Sequence, residues 1–210
     1  MFISFEGGEA SGKTTLARML TQKLTQQGYQ VVLTKEPGGY APLSFIRETL
    51  LNPKMPKVSY ETEALLYAAD RIEHLSHVMI PAFEKKNIVI CDRYLDSSFV
   101  YQGYARQLSH QYIAQINRFA LQYLPHLTFY LDLEPIIAKK RLVRFRGVNL
   151  QNRLDLESLL FHQKIRQGYL KRALEESKRI ITVNASGSLE KVFAIIYQKV
   201  KYLLCNSKLC

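Results

Sequence analysis

Residues 7–14 read Gly7-Gly8-Glu9-Ala10-Ser11-Gly12-Lys13-Thr14 and satisfy G-x-x-x-x-G-K-[ST] at every fixed position. This stretch constrains the fold more than any other, because its chemistry needs a particular backbone on either side. Glycines let successive backbone N–H groups turn inward around a phosphate, and a helix starting directly after them presents its positive dipole end to the same anion. The flanks supply both parts. Phe2-Ile3-Ser4-Phe5 leads in as a short apolar strand, and Leu16, Met19, Leu20 and Leu24 recur at helical spacing between Thr15 and Gln27. In such a loop the Lys13 ammonium reaches the β- and γ-phosphates and the Thr14 hydroxyl ligates Mg²⁺. The pattern implies a nucleoside triphosphate, with Gly7, Gly8, Glu9, Ala10, Ser11, Gly12, Lys13, Thr14 and Thr15 as the candidate ATP-binding set and Mg²⁺ as cofactor.

The rest of the chain alternates in a way that suits this start. Strand-like runs fall at 2–5, 30–34, 88–91, 127–131 and 180–183, with helical spacing near 14–27, 43–52, 59–85, 109–123, 135–146, 156–177 and 188–203. Such alternation predicts an α/β fold: βαβ units around a parallel sheet of five strands, covered by helices on both faces. Ligands of these sheets bind at the carboxyl ends of the strands. At 210 residues the chain is expected to be one domain over 1–210, without internal repeats or a low-complexity linker. Residues 144–153, with one Gly and two Asn among three arginines, read as a short Arg-bearing loop between two helices.

Composition narrows the setting. No apolar run approaches the roughly 18 residues of a membrane span, and no basic segment precedes a long apolar stretch at the N-terminus. Three cysteines, Cys91, Cys205 and Cys210, have no metal-ligand spacing, and Cys91 inside an apolar run reads as a small core residue. A reducing cytoplasm is the expected home. The net charge of +11 would suit nucleic acid, but arginines and lysines placed to clamp a small polyanionic substrate explain part of the excess, and neither nucleic acid nor membrane is expected as a partner.

A second constellation is Ile88-Val89-Ile90-Cys91-Asp92-Arg93. Four apolar residues end in a carboxylate at the edge of a buried strand, the place for an acid that organises Mg²⁺ and its waters. Arg93 follows at once, suited to bidentate phosphate contact. Thr14 and Asp92 are therefore the candidate metal pair.

At this point the chain resembles the thymidylate kinase family. Lys35-Glu36-Pro37-Gly38-Gly39 is similar to the family's REPGG, and Leu65-Leu66-Tyr67-Ala68-Ala69-Asp70-Arg71 to its long-helix motif. Asp92-Arg93-Tyr94 with Asp96-Ser97-Ser98 and Tyr101-Gln102-Gly103 resembles the family signature, and Phe129-Tyr130-Leu131-Asp132 its fourth strand. The match spans about 1–200. The resemblance implies a nucleoside monophosphate kinase fold with a P-loop and transfer of the γ-phosphoryl of ATP to dTMP, giving dTDP and ADP on the route to dTTP. It also implies a homodimer. Of the site residues, it implies that Tyr67 lies on the thymine face, Arg71 at its edge and Ser98 in hydrogen-bond reach of the base. Gln102 joins the substrate set, Tyr101 closes the sugar pocket, Glu9 accepts the 3′-hydroxyl, and Arg47 and Arg93 hold the acceptor phosphate.

Two departures qualify the match. Ala10 stands where some family members carry a P-loop arginine, so the resemblance is to the subclass whose cations sit in a lid, here an insertion at about 144–155 with Arg144, Arg146 and Arg153. Arg153 is the first choice for the transferring phosphoryl, from Asn152-Arg153-Leu154-Asp155 against the usual D-R-[IM]-E. The catalytic set is thus Lys13, Asp92, Arg93, Arg153, Arg144 and Arg146. Another nucleoside monophosphate or deoxynucleoside kinase, or a P-loop ATPase acting on nucleic acid, stays open as an alternative.

Overall fold

In the computed structural model of the chain the described residues are 1–146 and 151–206, apart from the side chains of residues 145, 146 and 206. The elements follow in the order β1 (Phe2–Glu6), α1 (Lys13–Gln26), β2 (Val31–Lys35), α2 (Ser44–Leu51), α3 (Tyr60–His74), α4 (Ile80–Glu84) and β3 (Ile88–Asp92). Then come α5 (Leu95–Ser98), α6 (His110–Ile116), β4 (Leu127–Asp132), α7 (Pro135–Arg146), α8 (Leu159–Glu175), β5 (Ile180–Asn184) and α9 (Leu189–Asn206). The five strands pair in the order β2-β3-β1-β4-β5, every pair parallel.

The three inner strands are buried along nearly their whole length, which is why β1, β3 and β4 read as continuous apolar runs. Their side chains alternate between two cores. Ile3, Phe5, Ile90, Phe129 and Leu131 pack with Leu16 and Leu20 of α1 and Ile196 and Val200 of α9. Phe2, Val89 and Cys91 face the opposite layer with Leu75, Met79 and Tyr94. Cys91 is thus the core residue expected. Serine caps fix several helix starts: Ser59 accepts from Thr62 N at 3.2 Å, and Ser158 from Phe161 N at 3.1 Å. Among the described residues no helix is long and apolar enough to cross a membrane.

Three element boundaries differ from expectation. The helix expected over 109–123 stops at Ile116, because Asn117 is buried and committed sideways: its Nδ2 donates to Ile113 O at 2.9 Å and its Oδ1 accepts from Arg71 at 2.6 Å. The segment 95–105 forms α5 and, over Phe99–Ala105, a π-helical turn that has no amphipathic signal, since five of its seven residues are buried. Finally, α7 runs to Arg146, so Arg144 stands exposed on a helix rather than in a loop. Residues 147–150 lie outside the described residues, as does the Arg146 side chain.

Candidate active site

The loops that follow β1, β2 and β3 at their carboxyl ends meet over one cavity of about 740 Å³. The turn after β1 is the P-loop. Gly7 takes φ +144°, and a Cβ there would stand 2.7 Å from the carbonyl oxygen of Leu131, so only glycine fits. Gly12, at φ +95°, turns the chain into α1. Lys13 is buried, not exposed as its place at a helix start suggests, and its Nζ donates to Gly8 O at 2.7 Å. Burial, then the neighbouring Arg93, pull its ammonium down to about 8. Thr14 Oγ1 donates to Asp92 Oδ2, so the two expected metal ligands are brought into contact across β1 and β3. Hydroxyl and carboxylate are hard oxygen donors, and Mg²⁺ takes one or two such ligands while keeping waters and phosphate oxygens, so the pair fits that ion.

Arg93 is held from several sides. Its backbone is left-handed at φ +69°, its Nη1 donates to Gly7 O at 2.9 Å, its Nη2 pairs with Glu9 Oε1, and its guanidinium lies 5.1 Å from the Tyr101 ring centroid. Burial opposes its charge, yet Glu9, Tyr101 and Tyr169 hold it well above the ordinary arginine value. Glu9 is buried and also accepts from Tyr101 Oη at 3.2 Å, so it is part of the site and not a solvated loop carboxylate.

The third group comes from α3, the last residue of α5 and the turn that follows it. Tyr67, Arg71, Ser98, Tyr101 and Gln102 all line the same cavity as the P-loop. Arg71, 1% exposed, is the best-fixed of them. Its Nε donates to Glu36 Oε2 at 2.7 Å and its Nη1 to Ser98 Oγ at 3.0 Å. The loop that supplies Glu36 is fastened to α3 throughout: Gly38 N donates to Asp70 at 3.0 Å, and a Cβ on Gly39 would stand 2.4 Å from the His74 ring. Arg47 reaches the cavity wall with its Nη1 donating to Pro37 O at 2.9 Å.

The lid arginines are placed differently. Arg153, 8% exposed, does not line the cavity; its Nη2 donates to the carbonyls of Asn52, Met55 and Pro56 at 3.0, 2.6 and 3.3 Å. Asn152 does line it, and serves as a local turn, its Oδ1 accepting from Leu154 N and Asp155 N. Among the described residues of this region, the cation on the cavity wall is Arg141, whose Nη2 donates to Ala185 O at 3.0 Å. Asp96, part of the signature, is likewise not at the cavity: Arg172 and Arg179 bind it at 2.7 to 2.9 Å in the interior.

Sequence reasoning missed several contributors. Arg141 sits in a Lys-Lys-Arg run on a helix and carries no signal of its own. Ala185, Leu189 and Val192 complete its wall from the turn after β5 and the start of α9. Glu6 did carry a signal, a carboxylate ending an otherwise apolar strand. It is fully buried, accepts from Tyr94 N at 2.8 Å, Ser97 Oγ at 2.7 Å and Tyr169 Oη at 2.8 Å, and is pushed up to about 7 by burial and then Asp96.

The thymidylate kinase family model matches residues 5–196. A thymidylate kinase of Onion yellows phytoplasma (strain OY-M) is 51% identical over 202 residues, covering 96% of this chain and 97% of its own. One from Geobacillus sp. (strain WCH70) is 47% identical and covers 92% of each. The crystal structure of thymidylate kinase from Ehrlichia chaffeensis superposes with a TM-score of 0.77 at 28% identity, over 96% of this chain and 98% of that one.

Proposed function

The chain belongs to the thymidylate kinase family, and from that premise we propose how its residues divide the reaction. The protein transfers the γ-phosphoryl group of ATP to dTMP, giving dTDP and ADP. One observation carries the assignment of roles: the P-loop and the Tyr67–Arg71–Gln102 group share a single cavity, so donor and acceptor can meet without crossing water.

On this reading Lys13 takes the β- and γ-phosphates, and Thr14 and Asp92 hold Mg²⁺, which when bound neutralises phosphate charge. Arg93 and Arg47 grip the acceptor phosphate. Tyr67 lies on the base with its flat ring, Arg71 and Ser98 meet the base edge with Gln102, Tyr101 closes on the sugar, and Glu9 accepts the 3′-hydroxyl. The wall of Arg141, Ala185 and Leu189 is left for the donor base, a planar guanidinium beside apolar surface. The acceptor phosphate has a second pKa of about 6 and is close to doubly charged at neutral pH, so no strong general base is required. Catalysis is positioning plus charge neutralisation.

The lid remains part of the proposal: a single domain over 1–210 closes an insertion at about 144–155, and Arg144, Arg146 or Arg153 then adds charge that Ala10 cannot. We also propose a cytoplasmic homodimer, which light scattering in solution tests directly. The activity assignment is tested by steady-state ADP production with dTMP, dUMP, UMP, CMP, AMP and GMP as acceptors. dTMP is expected to dominate, with dUMP weaker by the roughly 1–3 kcal/mol that one methyl supplies. Equal turnover of UMP and dTMP would remove the pyrimidine pocket from this site.

A further inference from the structure

We infer that Glu63 fixes which way the Gln102 amide faces, and thereby makes the cavity select pyrimidines bearing a hydrogen on N3. Gln102, 2% exposed, lines the cavity from the π-helical turn over Phe99–Ala105. Glu63, 8% exposed, sits in the first turn of α3. The Gln102 Nε2 donates to Glu63 Oε1 at 2.9 Å. The two ends of a glutamine amide are nearly the same in shape but opposite in hydrogen bonding, so its partners decide its orientation. A carboxylate can only accept. It claims the NH₂ end of Gln102 and leaves the carbonyl oxygen as the end available to a ligand.

The carboxylate is itself held. Arg106 Nη2 is 3.6 Å from Glu63 Oε2 and 2.7 Å from Glu157 Oε1, and its guanidinium lies 4.8 Å from the Tyr60 ring centroid and 4.5 Å from that of Phe161. Glu63 therefore has a fixed cation behind it and a fixed amide in front. Its side chain reaches the base only through Gln102, which makes it a positioning residue.

The consequence concerns the pattern offered to a base edge. Arg71 presents only donors, and Gln102, so oriented, presents an acceptor. The complement is a carbonyl oxygen at position 4 beside an N3–H donor, the pattern of thymine and uracil. Cytosine offers the inverse, an amino donor at position 4 beside a bare N3 acceptor, and leaves buried groups on both sides unpaired. Such polar mismatches discriminate far more strongly than a methyl group. This inference rests on the proposed placement of the base against Arg71 and Gln102.

The test is the ratio of kcat/KM for dTMP to that for dCMP in the wild type, Glu63→Gln, Glu63→Asp and Gln102→Ala. Glu63→Gln keeps the shape but can both donate and accept, so the Gln102 amide is free to turn. The dTMP-to-dCMP ratio is expected to fall about tenfold or more, through a higher KM for dTMP and a lower one for dCMP, with kcat for dTMP changed only a few-fold. Glu63→Asp withdraws the acceptor by one methylene and should move the ratio the same way by less, which covers the case in which the amide variant does not fold. A merely structural role would lower both substrates together, and an unchanged ratio in the folded Glu63 variants overturns the inference. Gln102→Ala separates the two levels. If it lowers the ratio while the Glu63 variants do not, Glu63 is wrongly assigned. If it too leaves the ratio unchanged, the base does not lie against Gln102 and the underlying site assignment fails.

Discussion

Lys13 is charged in a place that resists charge. Its folded value near 8 lies below the ordinary 10.5, so the protein holds the ammonium at neutral pH against its own burial. On the proposed reading it serves phosphate rather than the fold. Lys13→Ala should therefore lower turnover by about a thousandfold or more while the melting temperature at pH 7 stays within a few degrees of wild type. A well-folded variant with normal turnover would remove the P-loop from the mechanism. Glu6 makes the opposite kind of prediction, one about stability. Its folded value, about 7, is above the ordinary 4.5, so between these pH values the folded state binds more protons than the unfolded chain. Its contribution is fully present below about 4.5 and is lost as pH rises through about 7. Denaturation of wild type and Glu6→Gln at pH 5 and 7.5 checks this, since wild type should lose ground relative to the variant as pH rises. Parallel behaviour would mean the carboxylate stays ionised throughout. At this scale the sequence was informative where chemistry demands adjacency, as at 7–15 and 92–93. It was silent on Arg141, and on Glu63, which in a first helical turn looks like any acid placed against the dipole.

Among the elements, the strands were legible because burial on both faces turns β1, β3 and β4 into apolar runs that nothing else explains. The helix over 95–105 was not legible, because its polar residues point inward to Glu6, Arg71 and Glu9 and break the amphipathic spacing that marks surface helices. The lid falls between these cases. Its motif pointed to Arg153, but the structure ties that guanidinium to three carbonyls of residues 52–56. If Arg153 reaches the transferring phosphoryl, it must first give up those bonds, so its contact belongs to the closed state only. Arg153→Ala should then lower kcat much more than it raises KM for dTMP, and Arg153→Lys should recover only part, lacking the planar fork. Arg144→Ala, from an exposed helical position, should slow kcat by no more than about tenfold, or roughly 1.4 kcal/mol. An unchanged kcat in Arg153→Ala, with stability reduced, would make it a strut of the 52–56 turn.

For the whole molecule, the parallel pairing of the sheet follows from the βαβ alternation that the sequence displayed, whereas the strand order and the ties that fix its edge were hidden. Asp96 reads as part of a substrate signature, yet it joins α5 to α8 and to the start of β5 through Arg172 and Arg179, contacts between residues 76 and 83 apart that no local pattern encodes. The net charge was visible from the outset and has a consequence of its own. A chain of +11 that acts on two anions draws them in through its field, and the cavity concentrates that field with Lys13, Arg18, Lys35, Arg47 and Arg93 on its walls. Salt should expose the effect, because the screening length is about 10 Å at 0.1 M and about 3 Å at 1 M. Raising NaCl from about 0.05 to 0.5 M should lower kcat/KM for dTMP several-fold, almost wholly through KM, since approaching substrate is screened by solvent ions. kcat at saturating substrate should change little, because on the proposed reading Arg93 acts on a bound phosphate from a partly buried position, paired with Glu9, where salt screens less. A kcat/KM that is flat in salt would mean that the field at the cavity mouth is weak and that the basic excess elsewhere on the surface serves a different anion. A kcat that falls in step with kcat/KM would instead place the screened charge in the transfer step, among the lid arginines.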